Sequence, residues 1–88
     1  MSYRIELSSA ASRDLHRLPE KVAAAVAEFI TGPLAEAPAR VSKPLRNELS
    51  AYRSARRGDY RVLIRIDDAA DTVLVVRTDH RSHVYRSP

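Results

Sequence analysis

Tyr3, Ile5 and Leu7 alternate with Arg4 and Glu6, the period of two expected of a strand with one buried face. The period then lengthens. Ala11, Leu15 and Leu18 fall on one face of a helix, and Ser8 or Ser9 stands where a helix N-cap is needed. Pro19 ends this helix and suits the first turn of a second. Val22, Val26, Phe29 and Ile30 give the second helix an apolar stripe, and Ala23, Ala24, Ala25 and Ala27 give it helix propensity. Gly32-Pro33 is expected to stop it. The two helices meet at Leu18-Pro19 as a helical hairpin.

Residues 33–50 hold Pro33, Pro38 and Pro44 and show little periodicity, so they read as a long connection with one helical turn at 34–36. Strands are expected at 52–57, 60–66 and 72–77. Gly58-Asp59 supplies a tight turn between the first two, and residues 67–71 turn between the second and third. In the middle strand Val62, Ile64 and Ile66 share one face, with Arg61, Leu63 and Arg65 on the other. Val73 to Val76 is apolar on both faces, which argues for a central strand. The order β-α-α-β-β-β predicts an α+β fold, an antiparallel sheet with a helical hairpin packed on one face.

The chain has 88 residues, one domain spanning 1–88, and no cysteine, so neither disulfides nor a thiolate metal site enter the picture. No apolar run approaches the roughly 20 residues needed to cross a bilayer, and no secretion signal is evident at the N-terminus. A soluble cytoplasmic protein is expected. Charge is divided unevenly. Residues 1–39 carry four basic and five acidic side chains, whereas residues 40–88 carry eleven and six, for a net charge of +4. Thirteen of the fifteen basic residues are arginine, whose planar fork matches phosphate oxygens better than lysine does. This favours a polyanionic partner, nucleic acid or an acidic protein segment.

Two constellations could carry chemistry. The first is the arginine set Arg53, Arg56, Arg57, Arg61, Arg65, Arg77, Arg81 and Arg86. Any one of these is as readily a solvated surface charge, but Arg56 and Arg61 flank the tight turn, and adjacent strands would bring them together. The second is the segment Asp79-His80-Arg81-Ser82-His83-Val84-Tyr85-Arg86. Histidine titrates near neutrality, and tyrosine joins it when cations stabilise the phenolate. A metal site is not expected: His80 and His83 lack a third ligand, and Asp67, Asp68 and Asp71 lie where turns favour aspartate anyway. Ser54, His80 and Asp79 compose a hydrolase triad only on paper, without a nucleophile elbow.

Taken in order, several segments together resemble the RelE/ParE superfamily of bacterial toxin–antitoxin toxins, and within it the RelE-type mRNA interferases. They are an opening strand followed by Ser9-Ala10-Ala11-Ser12-Arg13-Asp14-Leu15-His16-Arg17-Leu18-Pro19, then Lys43-Pro44-Leu45, Gly58-Asp59-Tyr60-Arg61-Val62-Leu63, and His80-Arg81-Ser82-His83-Val84-Tyr85. The resemblance runs nearly end to end. It implies a small toxin without cofactors, held inactive by a cognate acidic antitoxin, that cleaves mRNA on the ribosome and meets operator DNA through the antitoxin complex. It implies that Arg61 binds the scissile phosphate, with Arg56 and Arg81 as further catalytic cations and Tyr85 and His80 as proton carriers. Arg53, Arg57, Arg65, Arg77 and Lys43 would bind RNA phosphates. The chain departs from the family pattern where Ser54 stands at a catalytic lysine position and Arg56 at another. Guanidinium does not deprotonate in proteins, so the general base is left open.

The leading expectation is a ribosome-dependent, metal-independent endoribonuclease that inhibits translation. A ParE-like inhibitor of DNA gyrase would share the fold and dispense with RNA chemistry. A non-catalytic module that binds the antitoxin and tunes operator binding is the third alternative.

Overall fold

The computed structural model describes residues 2–80, with the backbone alone for Asp79 and His80. The elements run β1 (Arg4–Leu7), α1 (Ser9–Arg17), α2 (Glu20–Phe29), β2 (Ser42–Pro44), β3 (Arg53–Arg57), β4 (Tyr60–Asp67) and β5 (Thr72–His80). The α+β class is as expected. The sheet differs from the expectation in two ways. Among the described residues it has five strands, ordered β1-β5-β4-β3-β2. It is also mixed: β1 runs parallel to β5, whereas the other pairs are antiparallel. Parallel pairing needs a long crossover, and the two helices belong to the chain that separates β1 from β5. β2 escapes the sequence pattern because it spans three residues and includes Pro44. An edge position tolerates that proline, since no ladder hydrogen bond is asked of its nitrogen.

The first helix begins as expected. The Ser8 hydroxyl accepts the Ala11 N–H at 3.0 Å and donates to the Val76 carbonyl at 2.6 Å, so one side chain caps α1 and ties it to β5. Leu18 is extended, as the residue before a proline prefers. Gly32-Pro33 does not stop the second helix. A π-helical turn, Ile30–Leu34, carries the chain past the proline, and Ala35 and Glu36 are helical again. Widening the turn accommodates a residue that lacks an N–H, and Leu34 and Ala35 reach the core as a result.

Both helices cover one face of the sheet. Ala11, Val26, Phe29, Ile30 and Leu34 pack with Ala55, Val62, Ile64, Val73 and Val75 in one cluster. The expected alternation in β4 holds: Val62 and Ile64 have no exposed surface, and Ile66 packs against the cluster while partly buried. Leu7 departs from the β1 stripe at 45% exposed. It ends an edge strand, and the chain leaves the sheet for α1 immediately after it.

β5 is central, as expected, but runs three residues further than the sequence pattern indicates. Its pairing with β4 shifts between Leu63–Arg77 and Ile64–Val75, leaving Val76 as an extra residue in a β-bulge. After the bulge Thr78 lies opposite Val62 and is fully buried. The turn from β3 to β4 places Gly58 at φ 60°, and Arg57 pairs with Tyr60 around it. An L side chain is disfavoured at such a φ, so backbone sterics favour glycine here.

Candidate nucleic-acid interface

Alternation along β3 and β4 gives the sheet a second face, turned away from the helices. Register places Arg56 opposite Arg61 and Ser54 opposite Leu63, and β2 brings Lys43 opposite Ser54. These positions interleave with Ala55, Val62 and Ile64 of the core, so they belong to the outer face. Directly opposed residues carry Cβ atoms about 4.5–5.5 Å apart, and like charges there repel. An anion between Arg56 and Arg61 would offset that repulsion.

A groove of about 370 Å³ opens beside this pair. Arg56, Arg61, Lys43 and Arg40 line it with Ser42 and Ser54, and Val41, Pro44 and Leu45 give it an apolar side. Its cations therefore come from β2, β3, β4 and the turn before β2. Such a set can bind phosphate oxygens and stabilise negative charge that grows on them. Among the described residues, no group of three or more His, Asp or Glu side chains is placed to hold a metal ion.

Of the residues singled out from the sequence, Arg56, Arg61 and Lys43 meet at this groove. The other described arginines of that set, Arg53, Arg57, Arg65 and Arg77, go elsewhere. Arg53 follows the parity of Ala55, and its Nε donates to Ser42 Oγ at 2.7 Å. Its Nη2 donates to the carbonyls of Ala39 and Ser42, both at 3.1 Å. It thus clamps the 39–42 backbone beneath the groove. Arg57 shares that parity and is exposed at the strand end. Arg65 lies on the outer face with its guanidinium carbon 5.7 Å from the centre of the Tyr52 ring. His80 closes β5 opposite Tyr60, and its side chain, like all of Arg81 and Tyr85, lies outside the described residues.

Arg77 is held by a residue to which the sequence reading gave no role. Asp14 of α1 is 7% exposed and accepts Arg77 Nε at 2.8 Å, Arg77 Nη2 at 3.2 Å and the Thr78 backbone N–H at 3.1 Å. β1 pairs with β5 over 72–75 only, and Asp14 satisfies the backbone of β5 beyond it. A signal for this was present: Asp14 falls within the Ala11, Leu15, Leu18 face, where a carboxylate needs donors to be buried. Arg40, Val41 and Leu45 gave no comparable signal, because their place on the groove depends on the short strand β2.

Tyr3 has its phenol perturbed by neighbouring carboxylates. Its hydroxyl donates to Asp68 Oδ1 at 2.6 Å, and this hydrogen bond, with some burial and the charges of Asp68 and Asp71, raises its pKa. It lies by the β4–β5 turn, away from the groove.

Known proteins carry the same architecture. Toxin RelG of Mycobacterium tuberculosis is 52% identical over 86 residues, covering 98% of this chain and 99% of RelG. Toxin RelE of the same organism is 51% identical over 84 residues, covering 96% of this chain and 87% of that one. The toxin–antitoxin complex RelBE2 of M. tuberculosis superposes with a TM-score of 0.89 at 51% identity, over 93% of this chain and 94% of the matched chain. Escherichia coli toxin RelE, a doubly substituted mutant in the free state, shares the fold with a TM-score of 0.75 at 16% identity, over 97% of this chain and 88% of that one. A family model described as the ParE toxin of the type II toxin–antitoxin system parDE matches residues 5–85, and the chain belongs to this family of type II toxins.

Proposed function

We propose that this toxin is a ribosome-dependent endoribonuclease that cuts mRNA by transesterification. The observation that carries the reading is the Arg56–Arg61 pair at the wall of a groove that also holds Lys43. The 2′-hydroxyl of a bound nucleotide attacks the adjacent phosphorus. The new O–P bond closes a 2′,3′-cyclic phosphate as the bond to the 5′ oxygen breaks. A base takes the 2′ proton and an acid returns one to the leaving 5′ oxygen. Arg61, assisted by Arg56 and Arg81, stabilises charge on the phosphoryl oxygens, and Tyr85 and His80 are the proposed proton carriers. The ribosome supplies position, which substitutes for machinery that a small protein lacks. Arg53 and Arg77, bound to internal acceptors, support the site rather than touch RNA in this scheme.

A cognate antitoxin is the proposed controlling partner, since the related RelBE2 structure is a toxin–antitoxin complex. The cytoplasm is the proposed compartment, and among the described residues no helix is long and apolar enough to cross a membrane.

The test is translation of a defined message on purified ribosomes with wild-type and Arg61→Ala protein. Cleavage by the wild type, lost in the variant, supports the reading. A wild type that leaves every message intact sinks it. The family model carries the ParE name, so a gyrase supercoiling assay belongs beside the first: dose-dependent inhibition without RNA cleavage would establish the gyrase reading instead.

A further inference from the structure

We infer that Tyr52 and Arg65 form a stacking platform for one base of the RNA, on a nucleotide neighbouring the one that is cut. The inference rests on the ribonuclease reading above and adds a subsite to it. β3 and β4 carry Arg56 opposite Arg61 and then Ser54 opposite Leu63 on the outer face. Tyr52 immediately precedes β3, where the same register continued would meet Arg65, and the Arg65 guanidinium carbon sits 5.7 Å from its ring centre. Arg65 is exposed and Tyr52 half-buried, so the pair is anchored and accessible at once. The Arg65 contact limits the freedom of both side chains before any ligand arrives, which lowers the cost of ordering them.

Single-stranded nucleic acids are held by cations that track the backbone and by aromatic faces that take the bases. The outer face supplies both in one line: cations at Arg56 and Arg61, a small neutral step at Ser54 and Leu63, then an aromatic ring with a planar cation. At about 3.4 Å per residue, Tyr52 lies about 14 Å along the strand from Arg56. That span places the stacked base beyond the nucleotide whose phosphate the arginines hold. Guanidinium planes also accept bases by stacking, so Arg65 extends the platform beyond the tyrosine ring.

The test uses ribosomes programmed with a defined message, intact or lacking one base at successive positions around the cut. On the intact message at subsaturating toxin, Tyr52→Ala should slow cleavage roughly tenfold or more, the scale of one lost base stack. Tyr52→Phe should cut as the wild type does, and Tyr52→Leu, which keeps apolar bulk without a ring, should resemble Tyr52→Ala. At one flanking position, removing the base should slow the wild type by a similar factor and leave Tyr52→Ala no slower than before. A merely structural tyrosine would give a penalty independent of the message. Equal cleavage by wild type and Tyr52→Ala overturns the platform, as does a wild type indifferent to base removal at every flanking position. The second readout needs no variant, so it stands even if Tyr52→Ala does not fold. Arg61-dependent cleavage that ignores Tyr52 removes the platform alone, whereas no cleavage by the wild type removes the parent reading with it.

Discussion

The two faces of β3 and β4 come from the same few residues and do opposite work. Ala55, Val62 and Ile64 point under the helices and have no exposed surface. Ser54, Arg56, Arg61 and Arg65 are their immediate neighbours in sequence and, by the alternation of a strand, look the other way. The helix-covered face is constrained by shape and the outer face by charge, so a substitution on one can leave the other nearly untouched. The comparison also separates arginines that composition alone treats alike. Arg53 and Arg77 are bound into the scaffold by backbone carbonyls, Ser42 and Asp14, whereas Arg56 and Arg61 meet at the groove.

The contrast can be broken most severely from the covered face. Ile64→Ala should destabilise the protein by about 2–5 kcal/mol through lost burial and a residual cavity, read as a lower urea midpoint. Against a typical total of roughly 5–15 kcal/mol, that approaches loss of the fold. Arg61→Ala attacks the other face. It should reduce ribosomal mRNA cleavage by about 10²–10³, the scale of one lost transition-state donor, with a far smaller shift in urea midpoint. Loss of cleavage accompanied by unfolding would erase the distinction between the faces.

Asp14→Ala tests the scaffold arginines. It strips a nearly buried acceptor from the Thr78 N–H and from Arg77 together, at about 1–3 kcal/mol for groups left unsatisfied. Arg77→Ala should cost less, because Arg77 is 33% exposed and Asp14 only 7%. Urea midpoints in the reverse order would contradict the assignment of Asp14 as the keystone of this contact. The smallest effect concerns pH. The Tyr3 pKa is higher folded than unfolded because the protonated hydroxyl donates to Asp68. Its contribution is fully present below the unfolded value of about 10, and it is lost as pH rises through the folded value. Tyr3→Phe should therefore flatten the alkaline decline in stability above pH 10, measured as urea midpoints from pH 8 to 11.

Where one period persisted, the sequence was legible. The α1 and α2 stripes, the β4 alternation and the Gly58 turn are all found where the pattern puts them. The misreadings share a cause: local signals were overridden by partners distant in sequence. Pro33 reads as a stop, yet burial of Leu34 and Ala35 rewards a π-turn that continues past it. Pro44 reads as loop, yet β3 offers an edge to pair with. The Val76 bulge breaks the alternation that would have carried β5 on to His80. In the site, the meeting of Arg56 and Arg61 followed from the turn between them. The roles of Arg53, Arg77 and Asp14 did not, because each depends on a contact between elements whose placement the pattern left open.

The central position of β5 bears on how the chain comes into being. β5 lies between β1 and β4, yet among the described strands it is the last to be synthesised. Until residues 72–80 emerge, β1 has no partner and the core lacks Val73 and Val75. Such long-range closure is slow relative to local folding and leaves apolar surface uncovered in the interval. A nascent chain or a truncated product ending before β5 therefore cannot complete this fold, because β1 and the core both wait for the same strand.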